Sequence, residues 1–154
     1  MAELFTIRDA QPDDVPFIFN SWLKSYRDSP MVKSIPNTIY YDEHHRVIER
    51  ILQAPTTKAF VACNPEDANQ IYGYVIADEK SDQTSGPYAT TYHWLYCKHP
   101  FRGNGIAKAL FQKVQDRPVQ PGHQTFYTHR VKNVENLIGD RVFVFNPYAL
   151  YRDR

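Results

Sequence analysis

A short glycine-containing turn, Arg102-Gly103-Asn104-Gly105, carries the residue pattern with the clearest chemical meaning in this sequence. The aromatic and apolar run at 92–97 before it is typical of a strand, and the apolar side chains of 106–114 after it share one face of a helix. Glycine tolerates positive φ and a close backbone approach, so the first N–H groups of such a helix can point at an anion. With the guanidinium of Arg102 beside them, these groups predict a cradle for a phosphate or pyrophosphate.

The same turn has a simpler interpretation, in which the glycines only begin a helix and bind nothing. Two other phosphate-binding motifs do not fit the residues. The GK[ST] ending of a Walker A loop is missing, and the dinucleotide fingerprint G-x-G-x-x-G is incomplete because Lys108 stands at its last position.

The composition predicts a single packed domain over 1–154, since 42% of the 154 residues are apolar and 14% are aromatic. A net charge of +1 gives no general attraction to nucleic acid or membranes. No apolar run reaches the roughly 18–20 residues that span a bilayer, and the N-terminal MAELFTIRDA does not resemble a secretory signal. Cys63 and Cys97 lack metal-site spacing, so we expect reduced thiols in a cytoplasmic protein.

Hydrophobic periodicity predicts six strands and four helices. The strands are expected at 4–8, 58–63, 71–77, 89–97, 124–129 and 142–145, and the helices from Asp13 to about 27, from Asp42 to about 53, from 106 to before Pro118, and at 131–138. Residues 30–40 are expected to form a loop that contains prolines. The order predicts an α/β (α+β) fold, with a mixed, mostly antiparallel central sheet and helices on both faces.

Arg102, Gly105 and Ala107 match the signature R/Q-x-x-G-x-G/A between a strand and a helix, and the chain thereby resembles the GCN5-related N-acetyltransferase (GNAT) family. The predicted order of elements is also that of the family's fold, so the resemblance covers most of the chain. The segment FNSWLKSYRDS at 19–29 is similar to the first helix of small phage-borne members.

The resemblance implies acetyl-coenzyme A (acetyl-CoA) as the cosubstrate, without a metal. In the family, the strand before the loop splays away from its neighbour, and its exposed backbone pairs with the pantetheine arm. The residues implied in binding are Leu95, Tyr96 and Cys97 on the strand, Arg102, Gly103, Asn104, Gly105, Ile106 and Ala107 at the cradle, and Asn133 in the helix predicted at 131–138.

The implied reaction is direct transfer of the acetyl group to an amine, which must lose a proton to attack. In many relatives the base is a Glu on the strand that corresponds to 89–97, but no carboxylate occurs here between Asp82 and Asp116. His93 lies on that strand, and an unperturbed histidine side chain titrates near neutral pH, so His93 is the candidate base. The alternative is a structural histidine bonded to a neighbour.

Many relatives also place a tyrosine acid in the helix after the fifth strand. Here 138–141 reads Ile-Gly-Asp-Arg at that place. The candidate acid is Tyr148, with Tyr151 or Tyr127 as alternatives, and the family can also work without an acid.

In the family, the connection between the first two helices walls the acceptor pocket. The residues implied in substrate binding are Trp22, Tyr26, Arg27, Tyr40 and Tyr41, and Trp22 also fits a place in the core. The pair His44-His45 lacks the spacing His-Glu-x-x-His, so a solvated helix face is expected there rather than a metal site.

Three functions remain open. The first is an N-acetyltransferase that acts on a primary amine of a small molecule, a protein or a modified base, in the cytoplasm of a cell or of a phage host. The missing Glu and Tyr support a non-catalytic acyl-CoA-binding or interaction protein, and the phage resemblance supports acylation of a modified nucleobase in phage DNA. The segment FVFNPYALY at 143–151 could pair across a homodimer or cover the core.

Overall fold

The computed structural model of the chain describes residues 4–30, 32–81, 86–129 and 143–146. These residues form one six-stranded sheet, three α-helices and two short 3-10 helices. The strands are β1 (Thr6–Asp9), β2 (Thr57–Asn64), β3 (Asp67–Ser81), β4 (Pro87–Cys97), β5 (Gln124–Tyr127) and β6 (Phe143–Phe145). The helices are α1 (Val15–Tyr26), α2 (Asn37–Gln53) and α3 (Ile106–Gln115), and the 3-10 helices are Pro12–Asp14 and His99–Phe101. The predicted helix at 131–138 lies outside the described residues.

The six strands lie side by side in the order in which they occur along the chain. Strands β1 to β4 pair antiparallel with their neighbours, whereas β5 runs parallel to β4 and β6 runs parallel to β5. A parallel pair needs a crossover connection, which α3 supplies between β4 and β5. This arrangement confirms the predicted fold class, a mixed and mostly antiparallel sheet.

Both faces of the sheet are covered, and β3 supplies both cores because successive residues of a strand point to opposite faces. Tyr74 and Ile76 pack under α1 and α2, whereas Val75 and Ala77 pack under α3. None of the described helices is both long and apolar enough to cross a membrane.

Helix α1 buries a stripe of side chains at helical spacing: Ile18, Trp22, Leu23 and Tyr26. It begins at Val15, after the 3-10 helix, and not with a cap at Asp13 as predicted. The neighbouring Asp14 stabilises this corner instead.

The Asp14 carboxylate accepts a hydrogen bond from the N–H of Gln11 at 2.7 Å and forms an ion pair with Arg8 at 2.7 Å. The Arg8 guanidinium holds the pKa of that carboxyl below its usual value. The corner is therefore fixed by a carboxylate that joins the start of α1 to β1.

Helix α2 begins at Asn37, directly after Pro36, so the predicted start at Asp42 was wrong. The prolines of the connection suggested a loop as far as residue 40, but Pro36 stands before the first turn, where its missing N–H costs nothing. The buried stripe of α2 consequently begins with Tyr40 and His44 and continues with Ile48 and Ile51.

Gly73 lies in β3 opposite Cys97, where the backbones of β3 and β4 approach closely. A Cβ added to Gly73 would lie 2.4 Å from the carbonyl oxygen of Tyr96. Only glycine fits here without moving the end of β4, which leads into the glycine turn.

We expect Gly73→Ala to lower the free energy of unfolding by about 1–3 kcal/mol, because the added methyl group overpacks the strand pair. Denaturant unfolding measures the change. The control is Asn69→Ala, at an exposed position of the same strand, which should stay within about 0.5 kcal/mol of the parent. Equal stability of the two variants would contradict the close approach.

Candidate active site

Two glycines shape the turn between β4 and α3. Gly103 has φ of +87° and Gly105 has φ of +79°, in the left-handed region that residues with a Cβ rarely adopt. Gly105 directly precedes α3, and the first hydrogen bond of the helix runs from the N–H of Ala109 to the carbonyl of Gly105 at 3.0 Å. The N–H groups of 106–108 therefore have no acceptor within the helix.

Open space adjoins the turn. A Cβ added to Gly103 or Gly105 would meet no atom within 4 Å. Nε of Arg102 donates to the carbonyl of Cys97 at 3.0 Å, and Nδ2 of Asn104 donates to the carbonyl of Phe101 at 3.1 Å. These bonds hold the turn from within, so it combines a helix N-terminus, a fixed positive charge and room for an anion.

Strands β4 and β5 separate beside this turn. They pair only between 89–92 and 124–127. The last bond between them runs from the N–H of Thr128 to the carbonyl of Tyr92 at 3.1 Å. In the described part of the chain, the remaining residues of β4 pair with β3 alone. Among the described residues, no strand pairs with the other edge of 94–97, which includes Leu95, Tyr96 and Cys97, and such an edge can bind an extended ligand.

A β-bulge in β4 marks the point of separation. Tyr92 pairs with Ala77, and Trp94 pairs with the adjacent residue Ile76, so His93 is the extra residue. The bulge changes the alternation of side chains along β4, which is why Tyr92 packs under α3 whereas Trp94 packs under α1 and α2. We call the pair His93 and Thr128, which face each other where the strands part, the fork.

The side chain of His93 is 1% exposed, and its Nδ1 lies 3.1 Å from Oγ1 of Thr128. Oγ1 of Thr128 also lies 2.8 Å from Nδ1 of the next residue, His129. The hydrogen bond is what the structural interpretation of His93 expects, and the position at the bulge is what a role in proton transfer requires.

His129 joins the fork to the helices. Its Nε2 accepts a hydrogen bond from the indole N–H of Trp22 at 3.3 Å and lies 3.2 Å from Nε2 of His44. Burial, with His44 and His93 nearby, lowers the pKa of His129 well below its ordinary value. Burial likewise lowers the pKa of His44 to about 4. Both rings are therefore neutral at neutral pH.

The solvated helix face expected for His44-His45 holds only for His45, because His44 is 8% exposed. His44 follows Tyr40 and precedes Ile48 by one turn each, so the core stripe would have placed it inward if the helix start had been recognised. Nothing in the spacing of Thr128 and His129 signals their role, which depends on contacts between distant parts of the chain. Among the described residues, no group of three or more potential ligands could hold a metal ion.

Three of the predicted substrate residues, Trp22, Tyr26 and Tyr40, come together in the core around His44, and none is more than 4% exposed. Trp22 stacks on Trp94 with ring centroids 5.9 Å apart. These side chains form the base beneath the connection between α1 and α2, and their contact with an acceptor stays a prediction.

Arg27 organises the connection between α1 and α2. It donates to the carbonyls of Val32 and Ile35 and to Oδ1 of Asn37, and its guanidinium lies 5.0 Å from the ring centroid of Tyr40. All three of its side-chain nitrogens therefore donate hydrogen bonds to this connection and to the first residue of α2. Tyr41 is 41% exposed on α2 beside this connection.

The remaining candidates are placed as follows. Tyr127 is half-buried in β5, on the α3 side of the sheet. Asn133, Tyr148 and Tyr151 lie outside the described residues, so their predicted roles stay predictions.

Residues 17–139, most of the chain, match the profile of a family described as "Acetyltransferase (GNAT) family". None of the curated proteins matches the chain at a significant level.

Solved structures with the same fold are similar to this chain at low sequence identity. A candidate acetyltransferase from Pyrococcus furiosus is 19% identical, with a TM-score of 0.59 over 97% of this chain and 94% of its own. A possible acetyltransferase from Clostridium difficile 630 is 16% identical, with a TM-score of 0.58 over 87% and 85%. A GNAT family acetyltransferase from Brucella melitensis, solved in complex with acetyl-CoA, is 15% identical, with a TM-score of 0.51 over 74% and 68%.

The neutral state of His44 has a consequence for stability. Its pKa is about 4 in the folded chain against an ordinary value of 6.5. Between these values the unfolded chain binds a proton that the folded chain does not, so the free energy of unfolding falls as the pH falls from 6.5 to 4. A pKa shift of this size corresponds to about 3 kcal/mol in the free energy of unfolding. This stability is present in full above pH 6.5 and is lost as the pH falls to 4.

We expect His44→Phe to flatten this fall, measured by urea unfolding over the same pH range. His45→Phe is the matched control, since His45 is the adjacent, exposed histidine of the same helix, and it should keep the parent's dependence on pH. A parental slope in His44→Phe would show that His44 is not held neutral.

Proposed function

The chain belongs to the GNAT acetyltransferase family, and on this basis we propose that it transfers the acetyl group of acetyl-CoA to a primary amine, which attacks the thioester directly. The observation that carries the proposal is the open glycine turn at the start of α3, beside the edge of β4 with which no other described strand pairs. The two features adjoin because β4 leads directly into the turn. One extended ligand with an anionic end would therefore fit both.

The turn is proposed to bind the pyrophosphate. The N–H groups of 106–108 lack acceptors within α3, and the left-handed glycines leave space in front of them. Arg102 is anchored through Nε to the carbonyl of Cys97, so its positive charge stays at the rim of the turn. The fit is chemical as well as spatial, since a helix N-terminus and a guanidinium both favour negative charge.

The edge of β4 is proposed to bind the pantetheine arm. An extended chain with amide groups can add to a strand edge, using main-chain hydrogen bonds. Leu95, Tyr96 and Cys97 offer this edge on the side away from β3. The bound thioester supplies an activated acetyl group, and the chain's contribution is to hold it at the bulge, where His93 lies.

His93 is proposed to transfer a proton during the reaction. It is the extra residue of the bulge, and bulges often re-aim a side chain or end a strand pairing next to an active site. A hydrogen bond to Thr128 orients its ring. The acceptor amine is unidentified. We expect it to contact the connection between α1 and α2, so that substitutions in this connection change which amine is accepted.

We expect Gly105→Glu to weaken coenzyme A binding at least about tenfold, or 1.4 kcal/mol, because it places a carboxylate and a strained backbone in the cradle. Titration calorimetry measures the affinity. Gly122→Glu is the matched control, because Gly122 has φ of +80° and an equally open environment but precedes β5 rather than α3. Equal losses of affinity in the two variants, or none in either, would remove the cradle.

We expect His93→Gln to lower the turnover of an amine by about 10²-fold or more, the low end of the effect of a proton-transfer residue. The affinity for acetyl-CoA should be unchanged, since the variant leaves the cradle intact. Release of the coenzyme A thiol from acetyl-CoA across a panel of amines measures the turnover. A full parental rate with the same pH profile would return His93 to a structural role.

A further inference from the structure

A continuous line of hydrogen-bonding side chains runs from α2 to the fork. Nε2 of His44 lies 3.2 Å from Nε2 of His129, Nδ1 of His129 lies 2.8 Å from Oγ1 of Thr128, and Oγ1 of Thr128 lies 3.1 Å from Nδ1 of His93. We call these four side chains the relay. They come from α2, from the two residues directly after β5 and from the bulge of β4, and only the tertiary fold brings them together.

Trp22 sets the direction of the relay. The indole N–H can only donate, and it donates to Nε2 of His129. Nε2 of His129 is therefore an acceptor, and the ring proton of the neutral His129 is on Nδ1. That proton faces Oγ1 of Thr128, which leaves the single hydroxyl proton of Thr128 available for donation to Nδ1 of His93. In this arrangement His93 carries its proton on Nε2.

The first link follows the same direction. Nε2 of His44 faces the lone pair of the acceptor Nε2 of His129 at 3.2 Å. Two lone pairs would repel at this distance, so the contact favours a proton on Nε2 of His44, which shares the single lone pair of Nε2 of His129 with the indole N–H of Trp22. In this arrangement every link donates toward β4.

We propose that the relay delivers protons from the outer end at His44 to the reaction centre at the bulge, so that His93 acts as the proton donor to the leaving thiolate of coenzyme A. This inference rests on the proposed function for its chemistry. It gives His93 the role of an acid, which differs from the base expected from the sequence. His44, His129 and Thr128 are positioning residues that act through His93.

The surroundings of the relay favour neutral rings, as a line of proton carriers requires. His129, Thr128 and His93 are each 1% exposed, and His44 is 8% exposed. The rings of Tyr26 and Tyr40 pack against His44. Burial among aromatic rings disfavours a second proton on His44 or His129.

The protons balance as follows. The acceptor enters as an ammonium and loses one proton to water before its nitrogen attacks the thioester carbon. The new C–N bond forms, the C–S bond breaks, and the nitrogen loses a second proton to water. Nε2 of His93 gives its proton to the sulfur, each relay member takes a proton from the member before it, and Nδ1 of His44 takes one from solvent. After the thiol leaves, Nε2 of His93 takes a proton from solvent, the same transfers run in reverse, and Nδ1 of His44 releases its proton, so the relay regains its starting tautomers. Ammonium and thioester thus yield amide, thiol and one proton.

The first test is the position of the ring protons, measured in the whole protein near neutral pH by long-range ¹H–¹⁵N correlation of the imidazoles. We expect the proton of His129 on Nδ1 and those of His44 and His93 on Nε2. Trp22→Phe removes the indole donor, so the tautomers of His129 should become mixed in this variant. A proton on Nε2 of His129 in the parent would overturn the proposal.

The second test is kinetic, with acetyl-CoA and an amine that the protein accepts. Thr128→Val should lower kcat by about 10²-fold with an unchanged KM for acetyl-CoA, and Thr128→Ser, which keeps the hydroxyl, should restore most of the rate. Thr91→Val is the control for loss of a buried threonine hydroxyl in β4 and should keep the parental kcat. A parental kcat in Thr128→Val, or an equal loss in Thr91→Val, would overturn the relay.

The two tests separate this inference from the proposed function. The expected ring protons without turnover of any amine would contradict the proposed function and leave the hydrogen-bonded line in place. Turnover of an amine with the opposite tautomer at His129 would support the function and overturn the relay.

Discussion

The single extra residue in β4 is the constraint on which the rest of the site depends. Without the bulge at His93, side chains would alternate regularly along the strand, and Tyr92 and Trp94 would face the same side of the sheet. With the bulge, Tyr92 packs into the core under α3 and Trp94 packs into the core under α1 and α2. The pairing of β4 with β5 ends at the same point. The bulge gives β4 one residue more than the facing stretch of β3, and the edge of β4 that faces away from β3 opens directly after it.

The second constraint is the burial of polar rings in the core beneath α1 and α2. A histidine in such a place is stable only as a neutral ring whose N–H groups find acceptors. His129 has such partners, because its Nε2 accepts a hydrogen bond from Trp22 and lies within hydrogen-bond distance of His44, and its Nδ1 lies within hydrogen-bond distance of Thr128. The cluster therefore specifies one arrangement of α2, β4 and the end of β5, which an all-apolar core would specify less strictly.

Much of the local structure could be predicted from the sequence, because turns and amphipathic helices depend on the types and spacing of residues that are close together in the chain. The glycine turn, the face of α3 and the strand expected at 71–77 are examples of this kind. The start of α2 was missed because Pro36 suggested a loop, although proline is well tolerated just before a helix. The cap predicted at Asp13 was wrong, because the role of Asp14 at this corner comes from its ion pair with Arg8, which depends on where β1 lies.

The candidate site could be predicted only as far as its local part. The turn at Gly103 and Gly105 is a contiguous segment, and its geometry follows from residue type. The link between His44 and His129 joins residues 85 positions apart, and the bulge at His93 is a matter of register between two strands. Neither property leaves a signal in residue spacing, so both required the assembled sheet.

The sequential order of the strands has a consequence for how the molecule is made. Strands β2, β3 and β4 are joined by short connections, so they can pair as soon as the ribosome releases them, whereas β5 must wait until the crossover helix has been synthesised. The glycine turn thus exists on the nascent chain before the strand that defines the other side of the gap. Closure of the fork is a late event in biogenesis, and a chain that stalls before it would present an unsatisfied strand edge to other proteins in the cell.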